Sequence, residues 1–311
     1  RRRYPMGHGM YTRREFGALT AMAVGGVALA EPLTAQIDST VGGVQIGVQT
    51  YSFRALPRTP GGDQTDAIIR AMQSCRIGDC ELWSPMLEPA RVGGTASPDA
   101  RRQARDGLRR WRIETPLSHF ERIRDRFTAA GLTIYGFNYS FNDSFSDEEI
   151  DRGFEMARAL GAEIITASST LSAMKRVVPF AARHQMVVAV HNHSNISDPN
   201  EFARPESFAA AMALSPLVKV NLDIGHFTAA NYDPVAYLRE HHASISNLHL
   251  KDRRRDQGDN VPWGMGDTPI HEVLQLLQRE EWPIRAHLEY EYRGAGSPAE
   301  EVARCYAYVK R

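Results

Sequence analysis

Histidines and acids gather at the ends of four short apolar runs in the second half of this chain. The runs end Val190-His191-Asn192-His193, Leu222-Asp223-Ile224-Gly225-His226, Asn247-Leu248-His249-Leu250-Lys251-Asp252 and His287-Leu288-Glu289-Tyr290-Glu291. In extended chain successive side chains face opposite sides. His191 therefore shares a face with His193, His249 with Lys251, and His287 with Glu289 and Glu291. If the polar face is the inner one, four adjacent strands each aim an imidazole or a carboxylate at one place. Two nitrogens and two oxygens there suit Mn²⁺, Zn²⁺, Co²⁺ or Fe²⁺ better than Ca²⁺ or Mg²⁺ alone, and Mg²⁺ is kept as a further candidate. A four-residue set that leaves positions open for water or substrate is what a catalytic metal needs.

Something must hold those ends together. Eight apolar, β-rich runs between Val44 and Tyr292 alternate with eight amphipathic stretches, the first Asp63–Cys75 and the last Pro298–Lys310. Several stretches open on a capping residue or a first-turn proline, as at Ser146-Asp147, Asp233-Pro234 and Ser297-Pro298. Gly131 and Gly161 stand where helices should end. The alternation predicts a single (β/α)₈ TIM barrel over residues 36–311, with chemistry at the C-terminal ends of its strands. A doubly wound open sheet would carry a Gly-rich phosphate loop after its first strand, and none is present. The chain leaves the repeat once, at about 85–115, in an Arg-rich insertion with a helix expected over Asp99–Trp111. That helix reads either as a solvated charged surface or as a lid over the catalytic face.

Residues 1–35 differ from the rest. Thr12-Arg13-Arg14-Glu15-Phe16, an apolar Gly17–Leu29 run and Ala28-Leu29-Ala30 follow the order of a twin-arginine export signal. Met10 is a natural start. The expectation is a mature chain from about Glu31, passed through the twin-arginine machinery to the periplasm. Of the 311 residues 37 are basic and 37 acidic. Zero net charge argues against a nucleic-acid binder, and beyond the leader no stretch suggests a membrane span. Three cysteines are too few for a disulfide scaffold; a Cys75–Cys80 bridge is open, with buried free thiols the default.

The order of motifs resembles the sugar phosphate isomerase/epimerase superfamily, the xylose-isomerase-like TIM barrels that include the AP endonucleases. The matching pieces are GVQTYSF, CELW, VHNHS, LDIGH, LHLKDR with GMGD, and LEYEY. The resemblance implies one divalent metal held by residues of the last four strands, here His191, Asp223, His249 and Glu289. Family members carry Glu where this chain has His191, so the second carboxylate base of a two-base epimerase is missing. Glu289 is then the candidate base, with His191 a candidate partner and Lys251 able to neutralise an oxyanion or to pair with Asp252. His226 and His193 are candidates for substrate hydroxyls. Tyr51, Glu81, Trp83, Asn138 and Arg255 are expected on the rim, aromatic residues suiting a sugar face. His287 lies deeper and reads as packing; His119, His184, His241, His242 and His271 read as surface.

The leading expectation is a metal-dependent isomerase or epimerase acting on a sugar or related carbonyl-polyol through an enediolate. A lyase or dehydratase on a keto-sugar or keto-glycoside is the alternative, and a non-catalytic sugar-binding barrel the second. A nuclease would need more ligands and a basic groove. A periplasmic address favours free or oxidised sugars over phosphorylated ones. Homo-oligomers are common on this fold and remain open here.

Overall fold

A computed structural model describes residues 35–58, 62–90 and 97–311. The leader expected at residues 1–35 falls, but for its last residue, outside the described residues, as does part of the insertion.

The eight barrel strands are β1 (Val44–Gln49), β2 (Asp79–Trp83), β3 (Thr133–Asn138), β4 (Ile164–Ser168), β5 (Val187–His191), β6 (Val218–Asp223), β7 (Ile245–Leu250) and β8 (Arg285–Leu288). Each pairs in parallel with the next, and β8 closes on β1 through Ile46↔Ala286, Gly47↔His287 and Val48↔Leu288. This is the predicted (β/α)₈ barrel, preceded by a two-residue antiparallel strand, Thr40–Val41, on β1. Among the described residues no helix is long and apolar enough to cross a membrane.

The helices of the repeat fall where periodicity put them, within a residue or two, and the insertion helix expected over Asp99–Trp111 runs on to Glu114. They are α1 (Thr65–Cys75), α2 (Pro98–Glu114), α3 (Leu117–Ala129), α4 (Asp147–Ala159), α5 (Leu171–His184), α6 (Pro205–Met212), α7 (Ile224–Ala229), α8 (Pro234–His241), α9 (Ile270–Glu280) and α10 (Pro298–Val309). Ser146 and Ser297 close capping boxes with Glu149 and Glu300. Gly131 and Gly161 follow α3 and α4 at φ +74° and +72°, the left-handed turn a Cβ would resist. The short helix α7 was not foreseen. Asp223 ends β6 and caps α7 from one position, its carboxylate accepting from the His226 amide.

Aliphatic residues such as Ile46, Leu82, Val190, Leu222 and Leu248 alternate out of the barrel into one continuous buried core. The alternate positions point inward; toward the C-terminal ends of the strands they are polar, while Tyr135, Ile164 and Ala189 form a small apolar cluster of their own, with Val187 packed on it. Gly47 is required there, since a Cβ would stand 2.4 Å from the His287 ring and 2.7 Å from the Asp79 carboxylate.

The insertion helix α2 is solvated over most of its length, as one of the two readings expected, with Arg112 its one buried residue, but it is anchored rather than a free lid. Arg112 is buried and bonds Glu88 at 2.8 Å and Glu149 at 3.1 Å, with Phe145 under its guanidinium; Arg109 reaches Glu149 at 2.8 Å. Two arginines thus bolt α2 to α4 and to the chain after β2, while Arg102 and Arg105 stay exposed. Cys75, Cys80 and Cys305 are buried free thiols.

Candidate active site

The four strand ends converge as alternation implied. His191, Asp223, His249 and Glu289 are all buried, and one ligand atom from each lies within 4.8 Å of the other three. Register brings them level: Asp223 pairs with His249, and Glu289 follows Leu288, which pairs with Leu250.

Hydrogen bonding decides which atom of each residue is free. His249 places Nε2 2.8 Å from Glu81, which leaves Nδ1 to face Glu289 Oε2 at 3.0 Å. His191 places Nδ1 3.2 Å from the Ser168 hydroxyl, so its Nε2 looks into the site. That Nε2 is buried without a hydrogen-bond partner, 3.4 Å from Asp223 Oδ2. An unpartnered nitrogen lone pair beside a carboxylate oxygen costs free energy unless a cation or a proton meets it. With His249 Nδ1 and Glu289 Oε2 these two atoms form a donor set suited to a divalent metal. Glu81 behind His249 stands where a carboxylate would fix the tautomer of a metal-ligating histidine.

Lys251 is the cation the site already holds. Its buried Nζ lies 3.0 Å from Asp223 Oδ2, 2.9 Å from Glu289 Oε2 and 2.7 Å from Glu291. Burial would lower its pKa, but those three carboxylates raise it above the ordinary lysine value. Burial likewise opposes ionisation of Glu289, yet Lys251 and His249 hold it well below the usual carboxylate range. Lys251 does not pair with Asp252, the partner considered from sequence. Asp252 turns to the backbone amides of Gly264, Gly266 and Thr268 and shapes the GMGD loop. His226 sits between two cations, Nε2 3.1 Å from Lys251 and Nδ1 2.6 Å from Arg253. Burial, then Lys251, push its pKa well down.

Above these groups opens a cavity of about 300 Å³. Of the expected rim residues, Tyr51, Trp83 and Asn138 line it, with His193, His226 and Lys251. Tyr51 and Trp83 meet edge to face, ring centroids 4.8 Å apart.

Two rim assignments are corrected. Glu81 is fully buried beneath the mouth rather than on it. Oε1 accepts from Gln49, Asn138 and Thr166, and Oε2 from Asn221 and Asn247, with His249 Nε2 beside it. Only the barrel axis lets one carboxylate touch five other strands. Burial would raise its pKa, but His249, then His287 and the Thr166 hydroxyl, hold it down to about 2. Its place is under the ligands, orienting His249. Arg255 is exposed and turned outward, its amide on Asp267. Arg253 is the arginine built into the wall, bonding His226 and Ser194.

His287 lies deeper, as expected, held by Asp79 at 2.9 Å and stacked on Tyr135. His119, His184, His241, His242 and His271 are half-buried among the helices, away from the mouth. Sequence reasoning missed the polar layer below the ligands, Gln49, Thr166, Asn221 and Asn247. A signal existed, since Asn221 and Asn247 stand two residues before Asp223 and His249, on the same face.

No curated protein matches the chain. Its barrel is similar to solved structures that share little sequence with it. One is the probable 3-DHS dehydratase AsbF of petrobactin synthesis from Bacillus anthracis, 15% identical with a TM-score of 0.60, covering 85% of this chain and 98% of that one. Another is the 3-keto-D-glucoside 4-epimerase YcjR from E. coli, 13% identical, TM-score 0.57, covering 86% and 99%. A sugar phosphate isomerase/epimerase from Parabacteroides distasonis is 18% identical, TM-score 0.57, covering 90% and 98%. At such identities the likeness speaks for the fold. The family model described as xylose isomerase-like TIM barrel matches residues 101–307, more than half of the chain, and the chain belongs to that family.

Proposed function

We propose that this protein is a divalent-metal-dependent isomerase or epimerase acting on a sugar or related carbonyl-polyol through an enediolate. The observation that carries this reading is the convergence of His191 Nε2, buried without a hydrogen-bond partner, with Asp223, His249 and Glu289 under a polar cavity. Mn²⁺, Zn²⁺, Co²⁺, Fe²⁺ or Mg²⁺ would be held by those four residues. When bound, the ion supplies a Lewis acid for a carbonyl oxygen and its neighbouring hydroxyl.

The chain's own groups do the rest. Glu289, kept ionised by Lys251 and His249, takes the proton α to the carbonyl. The Lys251 ammonium stabilises the negative charge that forms on oxygen. Tyr51 and Trp83 offer an apolar wall to the sugar ring. The leader supports a periplasmic address and hence a free or oxidised sugar.

A second reading, a lyase or dehydratase, is favoured by where the acids lie. The cavity's carboxylates, Glu289 and Glu291, both follow β8, while the ends of β5 and β6 bring His191, His193 and His226 to it. One base that removes a proton fits elimination as well as isomerisation. In that case the α C–H bond breaks toward Glu289, a carbon–carbon double bond forms and the β C–O bond breaks. The departing oxygen then takes a proton from a cavity donor.

The test is proton nuclear magnetic resonance in D₂O with metal-loaded protein and a panel of keto-sugars. Solvent deuterium at the α-carbon, or a new alkene signal, is the expected result, lost in Glu289→Gln. Silence across the panel with sugar still binding would overturn both enzymatic readings and leave the non-catalytic sugar-binding barrel.

A further inference from the structure

A second cavity adjoins the metal-centred one. It is larger and more open, about 660 Å³, and His193 lines both. Its other walls include Ser194, Asn195, Ser197, Glu201, Asn231 and Gln257. The partition between the cavities is fixed, because one guanidinium nitrogen of Arg253 bonds both His226 at 2.6 Å and Ser194 at 3.0 Å. The floor is fixed too. Gln257 donates to the Ser194 carbonyl at 2.6 Å, and Asn231 and Asp256 exchange two hydrogen bonds.

Within this rigid frame some hydrogen-bonding capacity is unused. Glu201 Oε2 is buried without a partner. Neither ring nitrogen of His193 makes a hydrogen bond among the described residues, and the ring stands exposed where the cavities meet. The lining holds no lysine or arginine but two acids, Glu201 and Asp256, so it does not suit a phosphate or carboxylate. Among the described residues Ile196 is its one large aliphatic residue, and the rest of its apolar surface belongs to the carbon atoms of polar side chains and backbone. Unmet acceptors, amides and hydroxyls interleaved with carbon surface, without lysine or arginine among the described lining, suit a neutral, hydroxyl-rich ligand whose ring carries both kinds of face. The inner cavity, about 300 Å³, is at the small end of ligand sites and suits a single ring.

We propose that the outer cavity is a second sugar subsite, so that the substrate is a glycoside. The carbonyl-bearing ring sits over His191, Asp223, His249 and Glu289. The second, uncharged sugar unit sits against Glu201, Ser197 and Asn231, and His193 hydrogen-bonds the oxygen between the units. This rests on the carbonyl-sugar reading of the inner site.

The test is calorimetric titration of metal-loaded protein with methyl 3-keto-glucoside and with the 3-keto-disaccharides of glucose in α and β linkages. At least one disaccharide should bind about tenfold more tightly than the methyl glycoside, or more. Glu201→Ala and the space-filling Ser197→Trp should erase that advantage while leaving methyl glycoside affinity and thermal unfolding unchanged. Ser197 is exposed, so its variant keeps the test valid if Glu201→Ala folds poorly. Equal binding of both sugar classes overturns the subsite and leaves the inner site standing. So does a disaccharide advantage that survives both substitutions. If neither class binds, the carbonyl-sugar reading falls with it.

Discussion

Glu81→Gln is nearly isosteric and should still be severe. The carboxylate has three donors at each oxygen: Gln49 (2.5 Å), Thr166 (2.6 Å) and Asn138 (3.0 Å) at Oε1, and His249 (2.8 Å), Asn221 (3.1 Å) and Asn247 (3.1 Å) at Oε2. Whichever way an amide is turned, its NH₂ faces three of them. Some adjust, because the Thr166 hydroxyl can rotate and Asn221 can turn its unpartnered Oδ1 inward. That leaves about two hydrogen bonds to a charged acceptor lost, each worth about 1.5–3 kcal/mol, so about 3–6 kcal/mol of stability. His249 also loses the partner that fixes its tautomer, for which metal affinity should fall about 10–100-fold. Urea unfolding of the metal-free protein and calorimetric metal titration read the two effects separately. Stability within about 1 kcal/mol of wild type, unchanged metal affinity and a raised KM would refute this. That combination would place Glu81 against substrate, as its sequence position first implied.

Other perturbations follow from the same contacts. Lys251→Met removes the cation shared by Asp223, Glu289 and Glu291. It should cost the metal-free protein about 3–5 kcal/mol, raise affinity for a divalent ion and abolish turnover, read by thermal unfolding with and without metal. His191→Glu replaces a nitrogen ligand with oxygen and should shift preference from Zn²⁺ or Co²⁺ toward Mn²⁺ or Mg²⁺ in competition titrations. Glu149 has a lowered pKa: burial opposes it, but the Arg109 bond, the Ser146 amide and Arg112 prevail. A depressed carboxylate stabilises above its unfolded value, about 4.3, and loses that contribution as pH falls through the folded value. Unfolding temperature should therefore drop below about pH 4 in wild type. Glu149→Gln, already weakened at pH 7, should show a shallower drop there.

The fold was legible because the barrel repeats one unit eight times, several of them opened by a cap such as Ser146, Asp233 or Ser297, and period-two alternation then assigned the inner face of the last four strands. Depth was less legible. Glu81 lies two residues short of the end of β2, where pairing with β3 shifts register between Cys80 and Glu81. A rim position and an axial one differ there by a single layer. Among Arg253, Arg254 and Arg255 the choice is made by a turn at Asp256 and Gln257, both at positive φ, which returns the chain so that Arg253 faces His226. The docking of α2 depends on Arg112 meeting Glu88 and Glu149 across 24 and 37 residues, contacts that no local pattern announces. The ligand set itself needed no such information, because each member sits at a strand end and the strands are neighbours.

The central claim is that His191, Asp223, His249 and Glu289 hold one divalent metal, and its most direct test is metal content by elemental mass spectrometry. Wild type should carry one equivalent of a divalent transition metal or Mg²⁺ after reconstitution, and Asp223→Ala and His249→Ala should carry none. A wild type that stays empty, or variants that keep their metal, would contradict it.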